Sequence, residues 1–188
     1  MPVTNGKMRK CLPSSHKATS IKPYTLSMTS GRLLVTSCEN RQLLMYNTRD
    51  GMRLVLSIQL PREIVPRHAV ESNRDTILFS HTGAVERSGL HRVVEVDVEG
   101  RVLREFSDTR RRHLDVPRHL AVSGDGHVLV ADCYNRRILL LDPQLRPVRV
   151  LVERNEGVLP WRLCYRETDG RLLIAETWLY ACVKVFAI

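Results

Sequence analysis

An all-β fold built from repeated four-stranded units, the blades of a β-propeller, is what this sequence predicts, and three observations lead there. Short apolar runs rich in Leu, Val and Ile recur along the 188 residues, each bounded by turn residues; such runs favour strands. A proline opens each unit, at Pro23, Pro66, Pro117 and Pro160, so the intervals are 43, 51 and 43 residues. No stretch carries a convincing helical period. Four strands repeating every roughly 40–50 residues are the mark of a propeller blade, because one small twisted sheet cannot bury both faces until neighbours stack on it.

The elements follow in order within each unit. After the proline comes a short alternating strand, then a tight turn: Ser30-Gly31, Asn73-Arg74-Asp75, Asp125-Gly126 or Asp169-Gly170. The apolar runs LLVTSC, TILFSH, HVLVADC and LLIAET supply the second strand. A polar segment leads to the third strand, LLMYN, RVVEVD, ILLLD or CVKVF. Three units add a turn and a fourth strand, RLVLSIQL, RVLREF or VRVLV, whereas the last unit stops at Ile188 without one. Blades are therefore expected at about residues 23–61, 62–109, 115–155 and 158–188, after a tail of residues 1–22. Unit two carries an eight-residue excess, mostly Thr82 to His91.

The composition suits this fold. With 43% hydrophobic residues a packed core is within reach, and with only 5% aromatics the core material is aliphatic. Five cysteines, Cys11, Cys38, Cys133, Cys164 and Cys182, form no CxxC pair and no zinc spacing with histidine. The first twenty residues have no apolar leader core, and no run reaches membrane-spanning length. A soluble, cytoplasmic protein with reduced thiols is expected.

The third unit, VPRHLAVSGDGHVLVADCYNRRILLLD, carries a family likeness. Its proline, Asp-Gly turn, VLVAD run and Asn-Arg-Arg-Ile segment resemble an NHL repeat, and the other units resemble it more loosely. Unit two has Phe79-Ser80-His81 where the VAD element stands, and unit four has Ala175-Glu176-Thr177 and no Asn-Arg segment. The resemblance spans about residues 23–188 and is similar to the carboxyl-terminal NHL domain of tripartite-motif proteins. It implies a non-catalytic interaction scaffold whose loop face binds protein or single-stranded RNA, without the zinc-bearing ligase modules of that family. No cofactor and no metal are implied. The alternative is a propeller enzyme, lactonase-like, hydrolase-like or amidating-lyase-like, with a metal on the axis. The residues matching that metal position would be Ser37, His81, Asp132 and Glu176, an irregular set poor in the oxygen ligands a calcium site needs.

Asp132 closes an apolar strand, so its carboxylate is expected to bond loop N–H groups and Arg137, with Asn135 beside them, as a structural loop. Arg136 occupies a position that is exposed in such repeats. Cys38 and Cys133 fall at matching places and should be small, semi-buried side chains.

The formal net charge of +9 is unevenly placed. Lys7, Arg9, Lys10, Lys17 and Lys22 lie in the tail, which has no acidic residue. The remaining excess lies on the face formed by the loops that join one unit to the next and by the loops between second and third strands. Such segregation is the footprint of an anionic partner. The partner-binding candidates there are Arg67, His68, Arg110, Arg111, Arg112, Arg118, His119, Tyr134, Arg136, Trp161 and Arg162, with Trp178 and Tyr180 as further aromatics. Four units are few for a ring: either a tail segment such as Lys7 to Leu12 closes the last blade, or the ring is incomplete. An incomplete ring would leave apolar edges open to self-association, and a truncated product or fragment is the corresponding expectation.

Overall fold

The computed structural model describes residues 21–29, 31–84, 91–107, 113–176 and 181–188. They form four small antiparallel sheets arranged as a four-bladed β-propeller. The first blade is β1 (Thr25–Thr29), β2 (Arg32–Ser37), β3 (Gln42–Asn47) and β4 (Arg53–Gln59). The second is β5 (Ile64–Glu71), β6 (Ile77–Gly83), β7 (Arg92–Val96) and β8 (Val102–Phe106). The third is β9 (Pro117–Val122), β10 (Val128–Asp132), β11 (Arg137–Leu141) and β12 (Pro147–Val152). The fourth has three strands, β13 (Pro160–Arg166), β14 (Arg171–Glu176) and β15 (Val183–Ala187). Two single-turn 3₁₀ segments, Arg154–Glu156 and Glu167–Asp169, are the helical elements among the described residues.

Each blade is a meander in which consecutive strands pair. The opening strands pack in succession, β1 against β5, β5 against β9 and β9 against β13, so they line the axis. Middle strands β6 and β10 are buried along their whole length, since a neighbouring blade covers each face. That is why these strands read as unbroken apolar runs instead of an alternating pattern. In β6, Ile77 and Phe79 point to blade one while Leu78 points to blade three, the period-two alternation of a strand. Strand β6 also runs on to Gly83, absorbing two residues that the spacing assigns to the insertion.

Three inter-blade cores hold the assembly. Blades one and two share Leu34, Leu43 and Met45 with Ile77, Phe79 and Val94. Blades two and three share Leu78, Val93 and Phe106 with Leu120, Val130 and Leu139. Blades three and four share Leu129, Ala131 and Ile138 with Leu163, Leu172 and Ile174. Truncating any one of these leucines to alanine should cost about 2–5 kcal/mol. Among the described residues no such core joins blade four to blade one. The outward residues there stay exposed, with Leu26 and Met28 on β1 and Val183 and Val185 on β15. The Lys7 to Leu12 segment lies outside the described residues.

The turns between third and fourth strands repeat one device. Asp97 accepts the backbone N–H groups of Glu99 and Arg101 and the Nε–H of Arg101; Asp142 does the same for Gln144 and Arg146. Gly100 completes the first of these turns at φ 81°, where an added Cβ would stand 3.3 Å from Ile58 of the neighbouring blade.

Candidate functional site

The prolines that open the units also build the site. In blades two, three and four the register of the opening strand slips just after the proline, leaving Arg67, Arg118 and Trp161 as the extra residue of a β-bulge. A bulge bends the strand and re-aims its side chain. Here it happens at the same place in three blades, on the strands that line the axis. Tyr24 holds the matching position in blade one, where its N–H bonds the Thr36 carbonyl at 2.8 Å.

The side chains from these matched positions meet. The Arg118 guanidinium lies 3.7 Å above the Trp161 ring, and its Nη1 donates to the Tyr24 hydroxyl at 2.9 Å. Arg162, one residue further on, stands 6.0 Å over the Tyr24 ring and donates Nη1–H to the Trp161 carbonyl at 3.1 Å. Blades one, three and four thus converge on one cluster. Burial lowers the pKa of Arg162, and the charge of Arg118 adds to that effect. Among the described residues no carboxylate pairs with Arg118 or Arg162. Arg118 is 8% exposed and its Nε–H has no hydrogen-bond partner. Arg67 donates Nε–H to Thr82 at 3.0 Å.

The residues one place later form a set of clasps between blades. Thr25 donates its hydroxyl to the Arg67 carbonyl at 3.2 Å. His68 accepts the Leu120 N–H at Nδ1, 3.2 Å away, and His119 accepts the Leu163 N–H at Nδ1, 3.3 Å away. The two imidazoles stack on each other. Burial pushes His68 well below the usual histidine range, and burial with the nearby Arg162 charge takes His119 down to about 3. Both rings are therefore neutral and face the interior, holding strands in place.

Two thiols flank the cluster. Cys38 donates to the Pro66 carbonyl at 2.7 Å. Burial pushes it up to about 11, against the lowering pull of Arg67, Arg118 and Arg162. Cys133 is fully buried, and burial raises its pKa too, opposed by Arg118. The matched cysteines thus have related surroundings, though Cys133 lies deeper.

Asp132 supports the site without facing it. Its carboxylate takes the Arg137 Nε–H at 2.6 Å, the Asn135 amide at 2.9 Å and the Asp115 N–H at 2.7 Å. Burial raises its pKa while these partners pull it down. The Asp115 bond fixes the backbone leading into β9, where Val116 is held at φ 58°, an outlying conformation for a β-branched residue. Asn135 also donates to the His113 carbonyl. The same-position residues elsewhere do comparable work: Ser37 donates to the Lys22 carbonyl at 2.8 Å, and Glu176 accepts the Leu159 N–H. Ser37, Asp132 and Glu176 thus tie their own blades together. Among the described residues no three His, Cys, Asp or Glu side chains gather in a way that could hold a metal ion.

Of the remaining candidates, Tyr134 and Arg136 sit on the turn after Asp132, both exposed. Arg110, Arg111, Arg112, Trp178 and Tyr180 lie outside the described residues. Sequence reasoning missed Tyr24 and Cys38 as members of the cluster. The signal was present in the proline register, which aligns Tyr24 with Arg67, Arg118 and Trp161.

No protein-family model matches the sequence, and no curated protein matches it. The fold is similar to that of virginiamycin B lyase from Staphylococcus aureus, with a TM-score of 0.59 and 11% identity over 91% of this chain and 57% of that one. It is also similar to a chain of the mitotic checkpoint complex, with a TM-score of 0.62 and 8% identity over 87% and 49%. A Bacteroides caccae protein of unknown function gives a TM-score of 0.57 and 15% identity over 84% and 54%. At such identities the likeness is one of fold. The chain spans about half the length of the solved structures named here. Among the described residues no helix is long and apolar enough to cross a membrane.

Proposed function

We propose that this chain is a non-catalytic interaction scaffold of the NHL-repeat type, taking a protein or single-stranded RNA partner on the face where the opening strands begin. The observation that carries this reading is the axial cluster itself. Guanidinium groups from two blades lean on aromatic rings from two blades, with no paired carboxylate on Arg118 or Arg162 among the described residues. Uncompensated cations gathered at one end of an axis attract an anionic group, and aromatic-backed arginines are typical anchors of binding surfaces. Arg136 and Tyr134 extend the same face outward. The third unit's likeness to an NHL repeat supports the family assignment within this proposal.

The experiment is a binding titration with a single-stranded RNA and with an acidic polypeptide, each at two ionic strengths, on the parent and on Arg118→Glu/Arg136→Glu. An anionic partner on this face is lost on charge reversal and weakened by salt. Binding of either probe that ignores both changes would reject the face as the binding surface.

A further inference from the structure

The scaffold reading leaves open what chemistry the axis recognises. Arg118 answers part of that question. It is 8% exposed, its Nε–H is unpartnered, and Arg162 stands over the ring of the same Tyr24 whose hydroxyl Arg118 binds. A buried cation without a counter-ion is unfavourable, and a buried donor without an acceptor adds to the imbalance. An oxyanion in the cluster removes both. The ring faces decide which kind of partner brings it. Trp161 has Arg118 against one ring face and Tyr24 has Arg162 over one of its own, so a guanidinium already stands where a base would stack between these two rings. An RNA backbone also needs a continuous, exposed basic track, whereas the deepest cation here is almost enclosed. A side chain projecting from a protein partner fits that shape.

We propose that Arg118 and Arg162 form a receptor for one oxyanion-bearing side chain of a protein partner, which enters the axis between Tyr24 and Trp161 and becomes the counter-ion of Arg118. This rests on the scaffold reading and narrows it to one chemistry. A carboxylate or a phosphomonoester supplies the same oxygens, and guanidinium forks bind both.

The test uses four probes on the full chain: poly-L-glutamate, a phosphoserine peptide, the same peptide unphosphorylated, and oligouridylate. Poly-L-glutamate or the phosphoserine peptide should bind, with the unphosphorylated peptide and oligouridylate much weaker. Arg118→Gln should weaken that binding by at least about tenfold, while Arg149→Gln, exposed on the outer strand β12, should change it less than about twofold. Should Arg118→Gln lose its cooperative melting transition, Arg162→Gln carries the same expectation. Poly-L-glutamate binding alone assigns the site to carboxylates, and phosphoserine binding alone assigns it to phosphate. Oligouridylate binding without either acidic peptide overturns the side-chain receptor and leaves the scaffold reading standing with RNA as its partner. Equal losses from the Arg118 and Arg149 variants, or none, overturn the axial location. If no probe binds, both readings fall.

Discussion

The imidazole rings of His68 and His119 stack with centroids 3.6 Å apart, and each ring spends its Nδ1 lone pair on the backbone of the following blade. The proton on each ring must then be at Nε2, and protonating Nδ1 would break an inter-blade clasp and place two cations face to face.

A pH dependence follows. Both histidines have folded-state pKa values below the ordinary histidine value of about 6.5, His119 at about 3. Below pH 6.5 the unfolded chain takes up protons that the folded chain refuses, so stability falls as pH falls. For His119 the loss grows down to about pH 3 and then stops growing. Each histidine contributes a slope of at most about 1.4 kcal/mol per pH unit in this window. Chemical denaturation of the parent and of His119→Gln between pH 7 and pH 4 checks it: the variant should show the shallower dependence.

Removing the Asp132 carboxylate should be costly. Asp132→Ala takes the Asp132 carboxylate away from the buried Arg137 guanidinium and frees the backbone before β9, for a loss of about 3 kcal/mol. Denaturant midpoints on parent and variant measure it. The Arg118-dependent binding should fall as well, since β9 presents that arginine. A variant as stable as the parent would show that the bonds around Asp132 do not hold the blade.

The cysteines should separate by reactivity. Cys164 is exposed on β13, while Cys38 and Cys133 are shielded and their thiols are held protonated by burial. Cys182 is exposed, but its S–H points to the Glu176 carboxylate 3.1 Å away, which raises its pKa. Among the described cysteines, brief alkylation near pH 8 followed by peptide mass mapping should label Cys164 first, Cys182 more slowly, and Cys38 and Cys133 only after unfolding. Early labelling of Cys38 would contradict the closed packing around the axis.

Arg136 offers a gain instead of a loss. It sits at φ 55° on its turn, as Arg41 does at φ 52° in blade one. Left-handed backbone disfavours a residue with a Cβ, so Arg136→Gly should stabilise the fold by up to about 1 kcal/mol, less the extra freedom glycine gives the unfolded chain. Thermal melts compare the two directly.

How much of this was legible in the sequence depends on the scale considered. The blades could be read because each proline, turn and apolar run repeats locally, and propeller strands pair with their sequence neighbours. The convergence of Tyr24, Arg118, Trp161 and Arg162 could not be read directly. It depends on side chains from separate blades meeting at the axis and on bulges that turn Arg67, Arg118 and Trp161 inward, and a bulge has no residue signature of its own. His68 and His119 illustrate the difficulty. In the sequence they look like surface histidines in a basic motif, yet their neighbours in space are backbone amides from the next blade. The Asp97 and Asp142 turns were within reach, since aspartate followed by arginine four places later recurs in two blades. The pairing of Asn40-Arg41 with Asn135-Arg136 after the matched cysteines was within reach too.

The clasps from Thr25, His68 and His119 all run the same way, from one opening strand to the next. The assembly therefore has a polarity, like links of a chain that hook only forward. Each hook engages only the opening strand of the following unit and ignores what lies between that unit's later strands. Lengthening a peripheral loop, as in blade two, leaves every hook engaged. Duplicating a whole unit would add a hook and a catch together, so such a lineage could change its number of blades without redesigning any junction. A one-residue shift beside an opening proline would unfasten a neighbour, and that short segment is where sequence change is least tolerable.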